Sequence, residues 1–314
     1  MGKRLSPRKG SMQFWPRKRA GNVLVRVRTW AKSSNAGPLC FVGYKAGMAH
    51  IIGAKGKTAE ACSVPVTLVE CPPAKIFSVR FYKQNVLKTE ILAPKFDKFA
   101  GRALVLPKDY SKTIDGVKVD YDGIRILAYS LTNLIGIGKK KPDVFEVALG
   151  GSKDAQLAWV KENLEKEIHV KDVFKENAQV DVHAVTKGHG YQGPAKRFGI
   201  NLRQHKSEKG VRRVGSRSGG WSGHAHMMYR VPQPGKMGYH ARTEYNKIII
   251  RICGTPENPK GGFKNYGLIK NEYIIVRGSL PGPSKRAVKF TPAIRPNHRL
   301  NLAQIKYGQV YYES

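Results

Sequence analysis

"VDVHAVTKGHGYQGPAKRFGI", running from Val180 to Ile200, can be read in two ways, and the choice between them decides the fold. Val180, Val182 and Ala184 alternate with polar residues, which is the period of a half-buried strand. Gly188, Gly190 and Gly193 then match G-x-G-x-x-G, the turn that brings a dinucleotide phosphate to a helix N-terminus in a doubly wound α/β domain. That chemistry requires a helix to begin at the glycines. Pro194 and the basic, glycine-rich run behind it are expected to form none. The stretch is therefore read as a strand of a β domain that runs out into a loop.

The loop is long. Sixty residues with eleven glycines and almost no periodicity separate Thr186 from Lys247. Such a segment inside a compact domain implies a function or a partner that orders it. It interleaves cations with His189, Tyr191, Phe198 and Trp221, side chains that can stack on bases. Its glycines let the backbone approach a phosphate closely. A duplex-DNA reader needs a regular helix or ribbon for the groove. The segment offers neither, so folded RNA is the better fit.

Charge extends this reading to the whole chain. The 314 residues carry 56 Lys and Arg against 22 Asp and Glu, a formal net charge of +34. A folded protein with that charge repels itself, so a polyanion is the expected partner. Residues 1–32 hold ten cations and no acid, residues 187–251 fourteen cations and two acids, and residues 277–312 seven cations and no acid. Residues 81–180 hold seventeen cations and fourteen acids and are close to neutral. A solvated surface mixes its signs as that block does, whereas three segments nearly stripped of acids read as three contacts with RNA. Candidate contacts are Arg4, Arg8, Lys9, Arg17, Lys18 and Arg19 in an extended arm. In the loop and at its base they are Lys187, His189, Lys196, Arg197, Arg203, Arg212, Arg213, Arg217, Trp221, His224, Arg230, Lys236, His240 and Arg242. Lys285 and Arg286 follow near the C-terminus.

Further strands are expected at Val23–Trp30, Cys40–Ile52, Pro65–Glu70, Ile76–Tyr82, Lys247–Cys253 and Glu272–Arg277. Ile124–Leu134 suits helix or strand. Gly150–Ile168 has helical spacing, with Leu157, Val160, Leu164 and Ile168 on one face, Ser152 as N-cap and Asp154 in the first turn. The expected fold is mainly β: a small closed β-barrel interrupted by an α/β domain, with long RNA-penetrating extensions. The expected parts are a basic arm at 1–22, barrel at 23–80, an insertion at 81–180, barrel again at 181–280 carrying the loop 187–246, and a basic extension at 281–314.

Other chemistries find little support. "GWSGH" (220–224) lacks the second glycine of a nucleophile elbow, and no paired carboxylates or triad stand out, so no enzyme is expected. His205, His224, His226 and His240 lie among cations without cysteine or carboxylate, so no metal or other cofactor is expected. Cys40, Cys62, Cys71 and Cys253 lack CxxC spacing and read as reduced, mostly buried thiols of an intracellular protein. No apolar run approaches the ~20 residues of a membrane span, and no signal peptide is expected. "MGKRLS" matches a myristoylation pattern but does not account for the other two acid-poor segments.

"PRKGSMQFWPRKRA" (7–20), "VTKGHGYQGPAKRFGI" (185–200) and "GKMGYHARTEYNK" (235–247) closely resemble the universal large-subunit ribosomal proteins of the L-three family, and the resemblance covers nearly the whole chain. It implies a barrel like that of translation elongation factors, an inserted domain of archaeal type, and binding to large-subunit ribosomal RNA beside neighbouring ribosomal proteins in the cytoplasm. It further implies help in early subunit assembly and an RNA-penetrating loop whose tip tryptophan, Trp221 by position, lies close to the peptidyl transferase centre. Two departures stand out. Ser222 and Gly223 follow the tryptophan where the family often has His-Pro, and Lys209 stands where many eukaryotic members carry a modified histidine. The lack of a long lysine-rich tail also fits an archaeal source.

Overall fold

The computed structural model describes residues 8–55, 60–107, 114–116, 120–204, 206, 209–213, 229–299 and 305–312. Of the candidate contacts, Arg4, Arg217, Trp221 and His224 lie outside these residues. The chain is mainly β and divides into two compact units, 1–21 with 186–241 and 22–185 with 242–314.

The larger unit is built on one long strand. β2 (Phe41–Lys55) pairs along its length with β3 (Glu60–Glu70), as the alternation at Cys40–Ile52 and Pro65–Glu70 predicts. On its other edge, residues 41–44 pair with β14 (Ala287–Pro292) and residues 49–55 with β15 (Ile305–Tyr312). The antiparallel pairing continues from β3 to β13 (Tyr273–Arg277), β12 (Ala241–Cys253), β9 (Gln179–Val185) and back to β14, a circuit of six strands. β13 has the continuous apolar run of a strand covered on both faces, with Tyr273, Ile274, Ile275 and Val276 all buried.

A second, six-stranded sheet has the order β1 (Gly37–Pro38), β7 (Val144–Gly150), β6 (Gly123–Ser130), β4 (Ala74–Lys83), β5 (Val86–Leu92), with β8 (Glu167–Ile168) also on β4. The ambiguous run at 124–134 is thus a strand followed by a short 3-10 turn. α1 (Lys153–Asn163) starts where expected, with the Ser152 hydroxyl accepting from Ala155 N at 3.4 Å. Its Gln156 is buried because the amide is used twice over. Nε2 donates to the carbonyls of Leu149 and Gly151, both at 3.1 Å, and Oε1 accepts from Ile124 N at 2.9 Å. Ile168 leaves the helical face and joins a strand instead, while Val160 alone of the four expected positions is fully buried on the helix.

Several boundaries differ from the expected ones. Among its described residues the block 81–180 contributes short antiparallel strands and one helix of eleven residues, and β4, expected in the barrel, belongs to this second sheet. One apolar core runs from the first sheet into the second. Tyr44 of β2 crosses between them, its buried hydroxyl within 2.8 Å of Ser130 Oγ and donating to Asp143 at 2.5 Å. Residues 287–292, expected in a basic extension, are a central strand. Val288 and Phe290 are buried, and Lys289 is tolerated between them with its ammonium 5.9 Å from the Phe145 ring. Val23–Trp30 forms no strand: Val27 is buried and Leu24 and Trp30 pack on the core, but Val23 is 42% exposed, so the alternation is not that of a strand face, and among the described residues the segment has no partner strand. All four cysteines are free thiols, and burial pushes Cys40 up to about 12.

In the smaller unit, β10 (Gly188–Gln192) and β11 (Gly235–Gly238) pair into a two-stranded ribbon, and α3 (Pro194–Phe198) follows β10. The helix corrects the expectation of none at Pro194. Proline suits the first helical position, where no N–H is needed, and Gly199 ends the helix at φ +64°. Five residues behind an antiparallel ribbon still do not make a dinucleotide site.

Candidate nucleic-acid interface

The smaller unit brings together most of two of the three acid-poor segments, residues 1–21 and 186–241, which the sequence holds some 165 positions apart. It contains seven Lys and Arg from 1–21 and eleven from 186–241, with Glu208 as its only carboxyl side chain. The third segment, residues 277–312, belongs to the larger unit.

A clasp of aromatic and guanidinium groups holds this unit. Trp15 stacks on Phe198 with ring centroids 5.5 Å apart and planes 18° from parallel, and Tyr229 meets Trp15 edge-on at 6.2 Å. Arg17 lies over the Phe198 ring at 4.4 Å and Arg197 at 5.1 Å. Arg197 donates from Nε to the Lys236 carbonyl (3.1 Å), from Nη1 to Gln233 (3.0 Å) and from Nη2 to Arg17 (3.3 Å). Arg17 Nη1 returns a bond to the Arg197 carbonyl at 3.0 Å. Burial lowers the guanidinium pKa of Arg197, the direction expected for a charge drawn out of water.

Glycines make this closeness possible. A Cβ on Gly10 would stand 2.7 Å from Phe198 Cδ1, and one on Gly235 2.7 Å from Arg197 Nη1. Gly238, at φ +73°, lets the Lys187 carbonyl approach to where a Cβ would stand only 2.0 Å away.

The candidate cations therefore take two kinds of place. Arg17 and Arg197 are turned inward to backbone carbonyls. Arg8 reaches the Arg230 carbonyl at 3.2 Å, and His240 Nδ1 lies 2.8 Å from the Lys18 carbonyl. By contrast Arg19, Lys187, His189, Lys196, Arg212, Arg213 and Lys236 are exposed, as is the Lys18 side chain. Lys9 is half-buried, and so is Arg203, whose backbone N–H donates to the Val211 carbonyl at 3.1 Å. Arg230 is exposed and bonds the Tyr229 hydroxyl at 3.1 Å. Arg242, Lys285 and Arg286 lie in the larger unit, with Lys285 exposed and Arg242 and Arg286 half-buried.

The family model for ribosomal protein L3 matches residues 1–99 and 107–310. This chain belongs to the ribosomal protein L3 family. Its archaeal relatives include the large ribosomal subunit protein uL3 of Archaeoglobus fulgidus, 42% identical over 307 residues and 92% of each chain. That of Methanobrevibacter smithii is 40% identical over 323 residues and 96% of each, and that of Nanoarchaeum equitans 42% identical over 303 residues, 93% of this chain and 92% of the relative. The family is structural and not enzymatic. No helix among the described residues of this L3-family chain is long and apolar enough to cross a membrane.

Sequence reasoning missed the clasp. Trp15 and Tyr229 were not singled out, and Phe198, read as a base-stacking ring, is 7% exposed and spends its faces on Trp15 and two guanidiniums. Among the described residues of this unit, Phe14 (48% exposed), Tyr191 (66%) and Tyr229 (63%) keep exposed ring surface, and His189 is exposed as well. A tryptophan in the cationic arm was an available signal, since an indole is seldom spent on solvent.

Proposed function

We propose that the chain is a structural constituent of the large ribosomal subunit that binds large-subunit ribosomal RNA through its smaller unit. One observation carries this: eighteen cations and one carboxyl gathered on a single compact unit whose shape is held by the Trp15–Phe198 stack and the Arg17 and Arg197 guanidiniums. The exposed cations neutralise phosphates, while Arg17 and Arg197 fix the surface that presents them. The segment 199–234, closed at its base by the ribbon, carries Trp221 to RNA around the peptidyl transferase centre, and neighbouring ribosomal proteins are further partners. The protein assists early assembly by bringing distant RNA segments onto one cationic surface. The strand circuit of the larger unit supports a barrel of the elongation-factor kind, with all of the second sheet but β1 inserted between β3 and β9. The site of action is the cytoplasmic ribosome.

Pelleting large subunits at moderate salt should bring the chain down at one copy per subunit. A chain left in the supernatant would point to a non-ribosomal RNA chaperone. Trp221→Ala should leave the melting temperature of the free chain unchanged and alter the chemical reactivity of bases near the peptidyl transferase centre, because loss of one stacked base costs about 1–3 kcal/mol. Arg212→Ala, Arg213→Ala and Arg217→Ala together should impair assembly itself, since three phosphate partners are lost.

A further inference from the structure

The larger unit carries a cleft of about 410 Å³ that none of the candidate contacts lines. One wall is the strap 25–29, which runs without a strand partner and brings Arg26 and Arg28 to the rim. The opposite side is Tyr245 of β12, 52% exposed, with the Arg295 guanidinium 5.4 Å from its ring centre. Thr243, His183 and Ile294 complete the lining.

The walls are fastened. The buried carboxylate of Asp181 accepts from Asn246 N at 2.9 Å and from Ile294 N at 3.0 Å, tying the residue after Tyr245 to the residue before Arg295. His183 is held from both ring nitrogens, by Thr243 Oγ1 at 2.9 Å and Thr291 Oγ1 at 3.1 Å. Whichever imidazole nitrogen carries the proton, the Thr243 hydroxyl keeps one further hydrogen-bonding position. Among the described residues no carboxylate pairs with Arg26, Arg28 or Arg295. The cleft thus combines uncompensated guanidiniums, a preformed tyrosine–arginine stacking surface and a polar floor, in a volume within the roughly 300–1,000 Å³ of small-molecule pockets.

We propose that this cleft receives one unpaired nucleotide of the ribosomal RNA, its base on the Tyr245–Arg295 surface, its edge toward Thr243 and its phosphate on Arg26 and Arg28. The proposal rests on the ribosomal reading above. It places a second RNA contact on the larger unit, outside the arm and loop. An acidic peptide would be drawn to the same arginines, but it has no use for the exposed tyrosine face.

The test uses the full chain and large-subunit RNA. Tyr245→Leu should bind roughly 5- to 150-fold more weakly, with an unchanged salt slope, because stacking neutralises no phosphate. Arg26→Gln with Arg28→Gln should instead reduce the log–log salt slope by about 0.7 for each arginine. Melting of the free Tyr245→Leu chain should match the wild type, which sets misfolding aside. Ultraviolet irradiation of assembled subunits should leave a nucleotide adduct on Tyr245. Wild-type affinity and slope in both variants, or a crosslink from the cleft to an acidic segment of a neighbouring protein, overturns the proposal. If the wild-type chain itself shows no salt-dependent RNA binding, the ribosomal reading fails, and that outcome is distinct from unchanged variants of a chain that binds.

Discussion

Glu70→Ala is expected to destabilise the larger unit by about 3–5 kcal/mol, the range for stranding the partners of a buried charge. Glu70 lies on β3 with no exposed surface, and four donors converge on its carboxylate. These are the Tyr266 hydroxyl, the backbone N–H groups of Lys270 (2.9 Å) and Asn271 (3.0 Å), and Asn271 Nδ2 (2.8 Å). Alanine leaves all of them facing an apolar cavity. The effect should be global, because the segment that Glu70 anchors leads directly into β13, the strand that joins β3 to β12. Glu70→Gln should recover only part of the loss. Its amide offers one acceptor oxygen where the carboxylate has two, and turns an N–H₂ toward other donors. Denaturant titration of the free chain measures both. A Glu70→Ala midpoint within about 1 kcal/mol of the wild type would show that the carboxylate does not hold this segment.

Arg197→Ala should detach the arm from the rest of the smaller unit in the free protein. One guanidinium satisfies carbonyls at residues 17, 233 and 236, so its removal strands three acceptors and uncovers one face of Phe198. Hydrogen bonds from a charged donor contribute about 1.5–3 kcal/mol each, so the clasp should lose about 3 kcal/mol even with incomplete additivity. Limited proteolysis should then cut after Lys18 or Arg19 many times faster than in the wild type, while the melting of the larger unit is unmoved. Arg197→Lys should not rescue it, since an ammonium cannot reach three carbonyls set around a planar fork. If Arg197 served RNA alone, the free variant would be cut no faster, and only RNA affinity would change.

The same residue shows where reading the chain and seeing it part company. Arg197 stands among cations in a glycine-rich run, and its local pattern matches that of Lys196 beside it. Lys196 is exposed and Arg197 is turned inward, a difference set by carbonyls 39 and 180 positions away. Phe198 follows the same logic: nothing nearby in sequence announces that Trp15 will lie on it. The strand expected at Val23–Trp30 failed for the converse reason. Alternation is a local pattern and does not say whether the backbone finds a neighbouring strand to bond. β14 carries Lys289 between Val288 and Phe290, so its local pattern reads as part of a basic segment, and the charge is tolerated there because its ammonium sits over Phe145 beside a cleft.

By itself, the sequence determined what depends on short range. Alternation placed β9, β-like apolar runs placed β2, β3, β4, β12 and β13, and the Ser152 cap placed the start of α1, because side-chain pattern and capping act within a few residues. The segregation of charge made RNA the expected partner, because net charge needs no fold to be counted. The tertiary structure alone decided which acid-poor segments share a compact unit, which cations face outward, that β4 belongs to the second sheet, and that residues 287–292 are a central strand of the first. These depend on pairing and packing between residues tens to hundreds of positions apart, where the free energy lies in shape and hydrogen-bond geometry that no local pattern encodes.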